Sequence, residues 1–307
     1  MTLCRRRTRA TLFAMTLCVA AADPARAQFV VAETETLDFG RPESWGMKYY
    51  ASLALLTGMG VPRKRPAGAV DLGFEGGYVP QLSDAERRIG FDGTKLVDVN
   101  KTTFFGRVRA SVGLGKAMDL ELAYTPPVER GGATPNLLAL ALGRPFVLTP
   151  SCRLGVRGHG QIGTIRGDIT CSAEEVAAGD DVQANPFQCV RPSEDESRQK
   201  VVGLELVVRY DLRSRFKPYA GMALDYMDPE FHVNAVYSDG RVLDHTVQLT
   251  SGITVSATAE LTFAASARFR VTTELFYSWL SIARPPSTTS TNEGLLNGRV
   301  LASYRLH

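Results

Sequence analysis

Cysteine, histidine and tryptophan are scarce, at 5, 4 and 2 of 307 residues. No Cys pair is accompanied by a His or a second Cys pair at zinc-ligand spacing, so no metal site is expected. Neither sign of charge dominates. The chain has 35 Lys+Arg and 32 Asp+Glu. The first 27 residues hold five Arg and one Asp, so the remainder carries 30 basic and 31 acidic side chains, a net charge of −1 with His neutral. A basic nucleic-acid-binding protein is excluded. Beyond the first 27 residues no window of 18 uncharged apolar residues occurs, so no transmembrane helix is expected. A Gly-rich phosphate loop is also missing, because Gly113-x-Gly115 leads into a tight turn between strand patterns and not into a helix. No cofactor is implied. No internal repeat stands out.

The start of the chain is distinctive. Arg5, Arg6, Arg7 and Arg9 precede a 13-residue apolar core at 10–22, and Ala25-Arg26-Ala27 gives a small-x-small cleavage signature. Thirteen apolar residues are too few to span a bilayer, which needs about 20. Residues 1–27 read as a cleaved secretory signal peptide, with Gln28 as the mature start. An exported chain without a membrane helix is either a soluble exported protein or a β-barrel.

A period of two then recurs. In 69–79, Val70, Leu72, Phe74 and Tyr78 alternate with Asp71, Gly73, Glu75 and Gly77. Neighbours on a strand point to opposite faces, so one face is apolar and the other polar. The pattern returns at 104–115, 118–125, 202–212, 247–263 and 268–280. Weaker versions lie at 45–57, 136–144, 151–165, 216–227 and 295–306. The connections are asymmetric. Short turns at Gly115-Lys116-Ala117, Arg213-Ser214-Arg215 and Ala264-Ala265-Ser266 alternate with long polar loops at 80–102, 127–135, 166–198, 228–244 and 283–294. Aromatics sort to the ends of the apolar face. Tyr78, Phe104, Tyr124, Tyr226 and Trp279 fall at the long-loop end; Tyr210, Phe216, Phe263, Phe269 and Tyr304 fall at the short-turn end. Two belts on one face fit two membrane interfaces.

In these respects residues 45–307 resemble the outer-membrane β-barrel proteins of Gram-negative bacteria. The segment Pro218-Tyr219-Ala220-Gly221-Met222-Ala223 is similar to a strand opening in small members of that class. The C-terminus keeps the outward phase at Tyr304 and Leu306, while His307 departs from the aromatic ending common among them. The resemblance implies an all-β fold: an antiparallel up-and-down transmembrane barrel formed by residues 28–307, with long extracellular loops. Its surroundings would be outer-membrane lipid and lipopolysaccharide.

Eleven strand patterns follow residue 45, and single-chain bacterial barrels have even numbers. Residues 29–38 supply the expected twelfth, with ten and fourteen strands as alternatives. Residues 231–237 are too short to span and read as an extension above the membrane. Cys171 and Cys189 bracket part of the largest loop. A disulfide between them closes 19 residues, worth about 3 kcal/mol in the chain-entropy model. Ser83-Asp84-Ala85-Glu86 is a capping-box pattern. Its loop either folds into the lumen as a constriction or stays at the surface.

The expected lumen lining is Lys48, Asp71, Glu75, Arg107, Arg109, Glu121, Arg153, Arg157, His159, Glu205, Arg209, Asp225, Glu260, Arg270, Glu274 and Arg299. Folding hairpins about their turns sets Glu260 opposite Arg270, Asp211 opposite Lys217 and Arg109 diagonal to Glu121. Arg107, Arg153 and Arg157 have no obvious partner near them in sequence. The first functional expectation is a passive channel for small solutes, with a polar, mixed-charge lumen. The second is a plugged structural or surface-interaction barrel acting through its loops. A barrel hydrolase is third, because no Ser or acid sits at a telling distance from His159, and Asp244-His245 point to opposite faces of any strand.

Overall fold

The computed structural model describes residues 28–60, 64–210 and 215–306. The proposed signal peptide, Asp211 and His307 lie outside them. Ten antiparallel strands close into a barrel: β1 (Val70–Tyr78), β2 (Phe104–Gly115), β3 (Met118–Thr125), β4 (Ala133–Thr149), β5 (Cys152–Gly167), β6 (Asp195–Tyr210), β7 (Phe216–Met227), β8 (Gly252–Ala264), β9 (Phe269–Trp279) and β10 (Leu295–Arg305). Each pairs with the next, and β10 pairs back to β1 through Arg299↔Gly77 to Arg305↔Asp71. Every strand is paired on both sides, so the sheet closes on itself, which is what a lipid environment demands of a β-structure.

The sidedness is that of a membrane barrel. Leu72 is 47% exposed and Asp71 beside it 5%. Leu204, Leu206 and Val208 face outward, while Glu205 is buried. The alternation therefore puts hydrocarbon outside and charge inside. At the two rims, Tyr78 packs edge-on against Phe104 and Phe216 lies against Phe263. Both pairs sit where aromatic rings bridge hydrocarbon and headgroup.

The count is ten, the lower alternative, and not twelve. Two segments read as barrel strands lie elsewhere. Residues 29–38 form short strands, Phe29–Val31 and Thr34–Thr36, that pair with Val242–Asp244 and Val247–Leu249 of the loop region. Residues 45–57 fall largely in a helix, α1 (Pro42–Leu53), which lies inside the barrel and is buried along its whole length. Pro42 stands at the start and Glu43 in the first turn, a good helix opening. The chain stays buried from Ala54 to Met59 as it continues beyond α1. An eight-stranded barrel is filled by its own side chains. Ten strands leave room for a helix.

The long loops gather at one end of the barrel. Glu230–His232 pairs with the projecting end of β6, so this part of 231–237 extends the wall. Cys171 and Cys189 form a disulfide, Cα–Cα 5.8 Å, packed against Val233 and Ala235. The 80–102 loop carries α2 (Asp84–Arg87) with a complete capping box on Ser83 and Glu86. Its Ile89, Val97 and Val99 pack in one apolar cluster with Trp45, Tyr49 and Tyr50 of α1.

Candidate functional site

The lumen is divided. At the loop end it is apolar, formed by α1 with Leu137, Ile165, Val201, Met227, Phe276 and Leu295 of the wall. Toward the turn end it is charged, and the charges hold the plug. Where α1 ends, its last carbonyls lack intrahelical partners and carry the negative end of the helix dipole. Four wall arginines meet these and the carbonyls of the segment that follows, Ala54 to Thr57. Arg299 Nη1 donates to Leu55 O at 2.6 Å, and its Nη2 to Ser52 O and Leu53 O. Arg107 donates to Ala54 O at 2.7 Å and to Leu55 O. Arg157 donates to Leu56 O at 3.0 Å and Arg109 to Thr57 O at 2.8 Å. The amides that follow find wall carboxylates. Gly58 N donates to Glu205 at 3.1 Å and Gly60 N to Glu260 at 2.6 Å. Thr57 Oγ1 donates to Glu274 at 3.0 Å.

The same residues neutralise one another. Glu75 takes Arg107 and Arg109, both at 2.7 Å. Glu121 takes Arg109 and, at 3.0 Å, Arg157, which also reaches Glu205 at 2.8 Å. A buried charge must be paired, and here alternating guanidinium and carboxylate groups share each other and the plug backbone. Arg107 and Arg157 thus find partners far away in sequence.

The remaining expected lining residues spread around this cluster. Asp71 lies near the turn end with Arg65 at 3.0 Å, Arg305 at 3.1 Å and Arg270 at 3.6 Å. Arg153 and Arg209 are paired positions on β5 and β6 and half-buried, with Arg209 over the Tyr219 ring. His159 Nε2 is 2.8 Å from Asp225 Oδ1, and Ser256 donates to the other oxygen of Asp225. Ser256 and His159 both bond the carboxylate, and among the described residues no hydrogen bond joins a serine hydroxyl to a histidine ring. Asp244 is buried and His245 exposed, on opposite faces.

Two expectations are corrected. Lys48 is on α1 and not on a wall strand. Its buried ammonium donates to Phe39 O at 2.5 Å and Ser281 O at 2.6 Å. Glu260 stands opposite Glu274, not Arg270, because the β8–β9 turn spans Ala265–Arg268 and shifts the register. The two glutamates tolerate this pairing because Gly60, Thr57 and Arg299 approach them from the plug and from β10.

The plug itself was missed. Its trace in the sequence is the set of inward arginines without local acids, together with Arg41-Pro42-Glu43 opening a segment of mixed periodicity.

No protein-family model matches this sequence, and no curated protein matches it. Among solved structures, it is similar to the translocator domain of the autotransporter NalP from Neisseria meningitidis, with 11% identity over 79% of this chain and 90% of that one at a TM-score of 0.42. The outer membrane protease OmpT from Escherichia coli is similar at 11% identity, 78% and 94% coverage, TM-score 0.41. Ail, the attachment invasion locus protein of Yersinia pestis, is similar at 8% identity, 78% and 100% coverage, TM-score 0.31. These likenesses are loose and transfer no function. The closed sheet of ten strands with its lipid-facing apolar girdle is, in fold, an outer-membrane β-barrel.

Proposed function

We propose that the protein works as a plugged barrel through its loop end, which faces the cell exterior, and not as a passive pore. The observation that carries this reading is the seating of residues 42–60. Six successive carbonyls, Ser52 to Thr57, accept from wall arginines. Expelling the plug would strand those guanidinium groups in a narrow lumen. Below the plug the cavity among Arg65, Asp71, Arg109 and Glu121 measures about 50 Å³, room for a few waters.

Planar-bilayer recording of the purified full-length protein tests this. The expected result is no steady conductance in the native protein, and brief openings when Arg107 and Arg299 are both replaced by Ala. Steady ohmic conductance of the native protein would restore the pore. Among the described residues, no cluster of His, Cys, Asp and Glu is arranged to hold a metal.

A further inference from the structure

The barrel wall has a notch above its shortest strand. β3 ends at Thr125 because Pro126 and Pro127 have no N–H to continue a ladder. Its neighbours run on. The β2–β3 ladder begins at Val108↔Tyr124 and the β3–β4 ladder at Thr125↔Leu137. Phe104–Gly106 of β2 and Ala133–Asn136 of β4 therefore face each other with no strand between them.

A cavity of about 840 Å³ lies at this notch, lined by residues from both faces of the wall. Its outer part runs over the lipid-facing pair Gly76↔Gly106, with Phe74 and Val108 beside it. Its inner part reaches Leu53 and Ala54 of the plug and Leu137 and Ile165 of the wall. Inside and outside linings are both mainly apolar. A second cavity, about 220 Å³, lies under the loops and is lined by Ile89, Phe231 and Val233 with Glu43 and Lys95 at its polar side. Tyr50 and Val99 line both cavities. The Tyr50 hydroxyl is buried and has no hydrogen-bond partner. A buried, unmatched hydroxyl costs free energy unless something occupies the space beside it.

We propose that this junction is a binding site for a small, mainly apolar solute carrying one hydroxyl or carbonyl, which pairs with Tyr50. The solute enters from the loop-end vestibule, and the notch opens the site to the outer-leaflet hydrocarbon. The size suits such a ligand, since small-molecule sites run about 300–1,000 Å³ with few polar groups. A lipid acyl chain would share the chemistry but would use the notch alone; the vestibule on the far side of Tyr50 favours a solute arriving from water. The inference rests on the plugged reading, because α1 supplies Tyr50, Leu53 and Ala54. Binding and conductance are separate readouts, so each can fail alone.

The test is 1-naphthol binding to the full-length protein in phospholipid nanodiscs, measured against empty nanodiscs. Saturable excess binding is expected. Tyr50→Phe should weaken it about fivefold, as for one lost hydrogen bond, and leave naphthalene binding unchanged. Ala133→Trp should fill the notch and abolish binding of both. Val128→Trp, at the exposed rim, serves if Ala133→Trp fails the heat-modifiable gel shift that marks a folded barrel. Binding no greater than to empty discs, or saturable binding indifferent to the Trp variants, would overturn the site. So would one tightly held lipid per barrel that naphthol cannot displace, since that assigns the cavity to an acyl chain.

Discussion

Arg299 on β10 donates to the carbonyl of Leu55, 244 residues earlier in the chain, at 2.6 Å. The guanidinium is completely buried, lies over the Phe276 ring at 4.3 Å, and reaches Ser52 O, Leu53 O and Glu274 as well. One side chain thus gathers the end of α1, its following turn and a wall carboxylate. Lysine, with a compact ammonium, lacks the planar fork needed for this set. Arg299→Met should destabilise the protein by about 3 kcal/mol, because it leaves Glu274 and several carbonyls without their donor. Arg299→Lys should recover only part. Guanidinium unfolding of protein refolded into liposomes reads both values, and a change under 1 kcal/mol for Arg299→Met would remove this residue from the account.

Lys48 gives a pH signature. Its amine is held down at about 8 by burial, partly opposed by nearby Asp38, against an ordinary value of 10.5. Between those values the seated plug has lost a proton that a released plug retains. The released state then binds more protons, so seating should strengthen as pH rises through this window and level off below about 8. In a Trp279→Phe background Trp45 is the sole tryptophan and reports release by its emission. Lys48→Met should flatten the dependence; an unchanged slope in that variant would assign the effect to other groups.

The Cys171–Cys189 disulfide belongs to the loop cap, in an apolar cluster separate from the one that α1 forms. Replacing both cysteines by Ser should loosen the cap by about 3 kcal/mol in the chain-entropy model. Residues 168–194 should become sensitive to added protease, while the barrel keeps its folded gel mobility. Loss of the folded barrel would show that the cap carries the fold.

Pro126 and Pro127 should be what keeps the notch open. Pro126→Val with Pro127→Thr restores two backbone donors beside Phe105 and Gly106. The ladder should lengthen and thermal stability should hold or rise. Hydrogen exchange at the two new amides checks it: fast exchange would mean that the notch has some other cause.

Much of the wall was readable because lipid and lumen impose opposite demands on alternate residues. β2, β3 and β7 coincide with their sequence patterns, and β1 falls one residue inside its pattern at each end. α1 was not readable in this way. A helix buried on every side has no polar face, so its sequence shows neither a clean 3.6 nor a clean 2.0 period. Register was legible only as far as turn length was. The β8–β9 turn is longer than Ala264-Ala265-Ser266 suggested, and that difference exchanged Arg270 for Glu274 opposite Glu260. The inward charges were visible individually, but several of their partners are backbone groups of a segment read as another strand.

The seating of the plug is tested most directly by a cross-link. Ser52 Oγ of α1 and Ser278 Oγ of β9 lie 3.3 Å apart. In a Cys152→Ala background, which removes the one unpaired cysteine among the described residues, Ser52→Cys with Ser278→Cys should form a disulfide in isolated membranes. The cross-linked protein should bury both sulfurs from a membrane-impermeant maleimide. Two free thiols, each labelled at the rate of an exposed cysteine, would mean that residues 42–60 do not occupy the lumen.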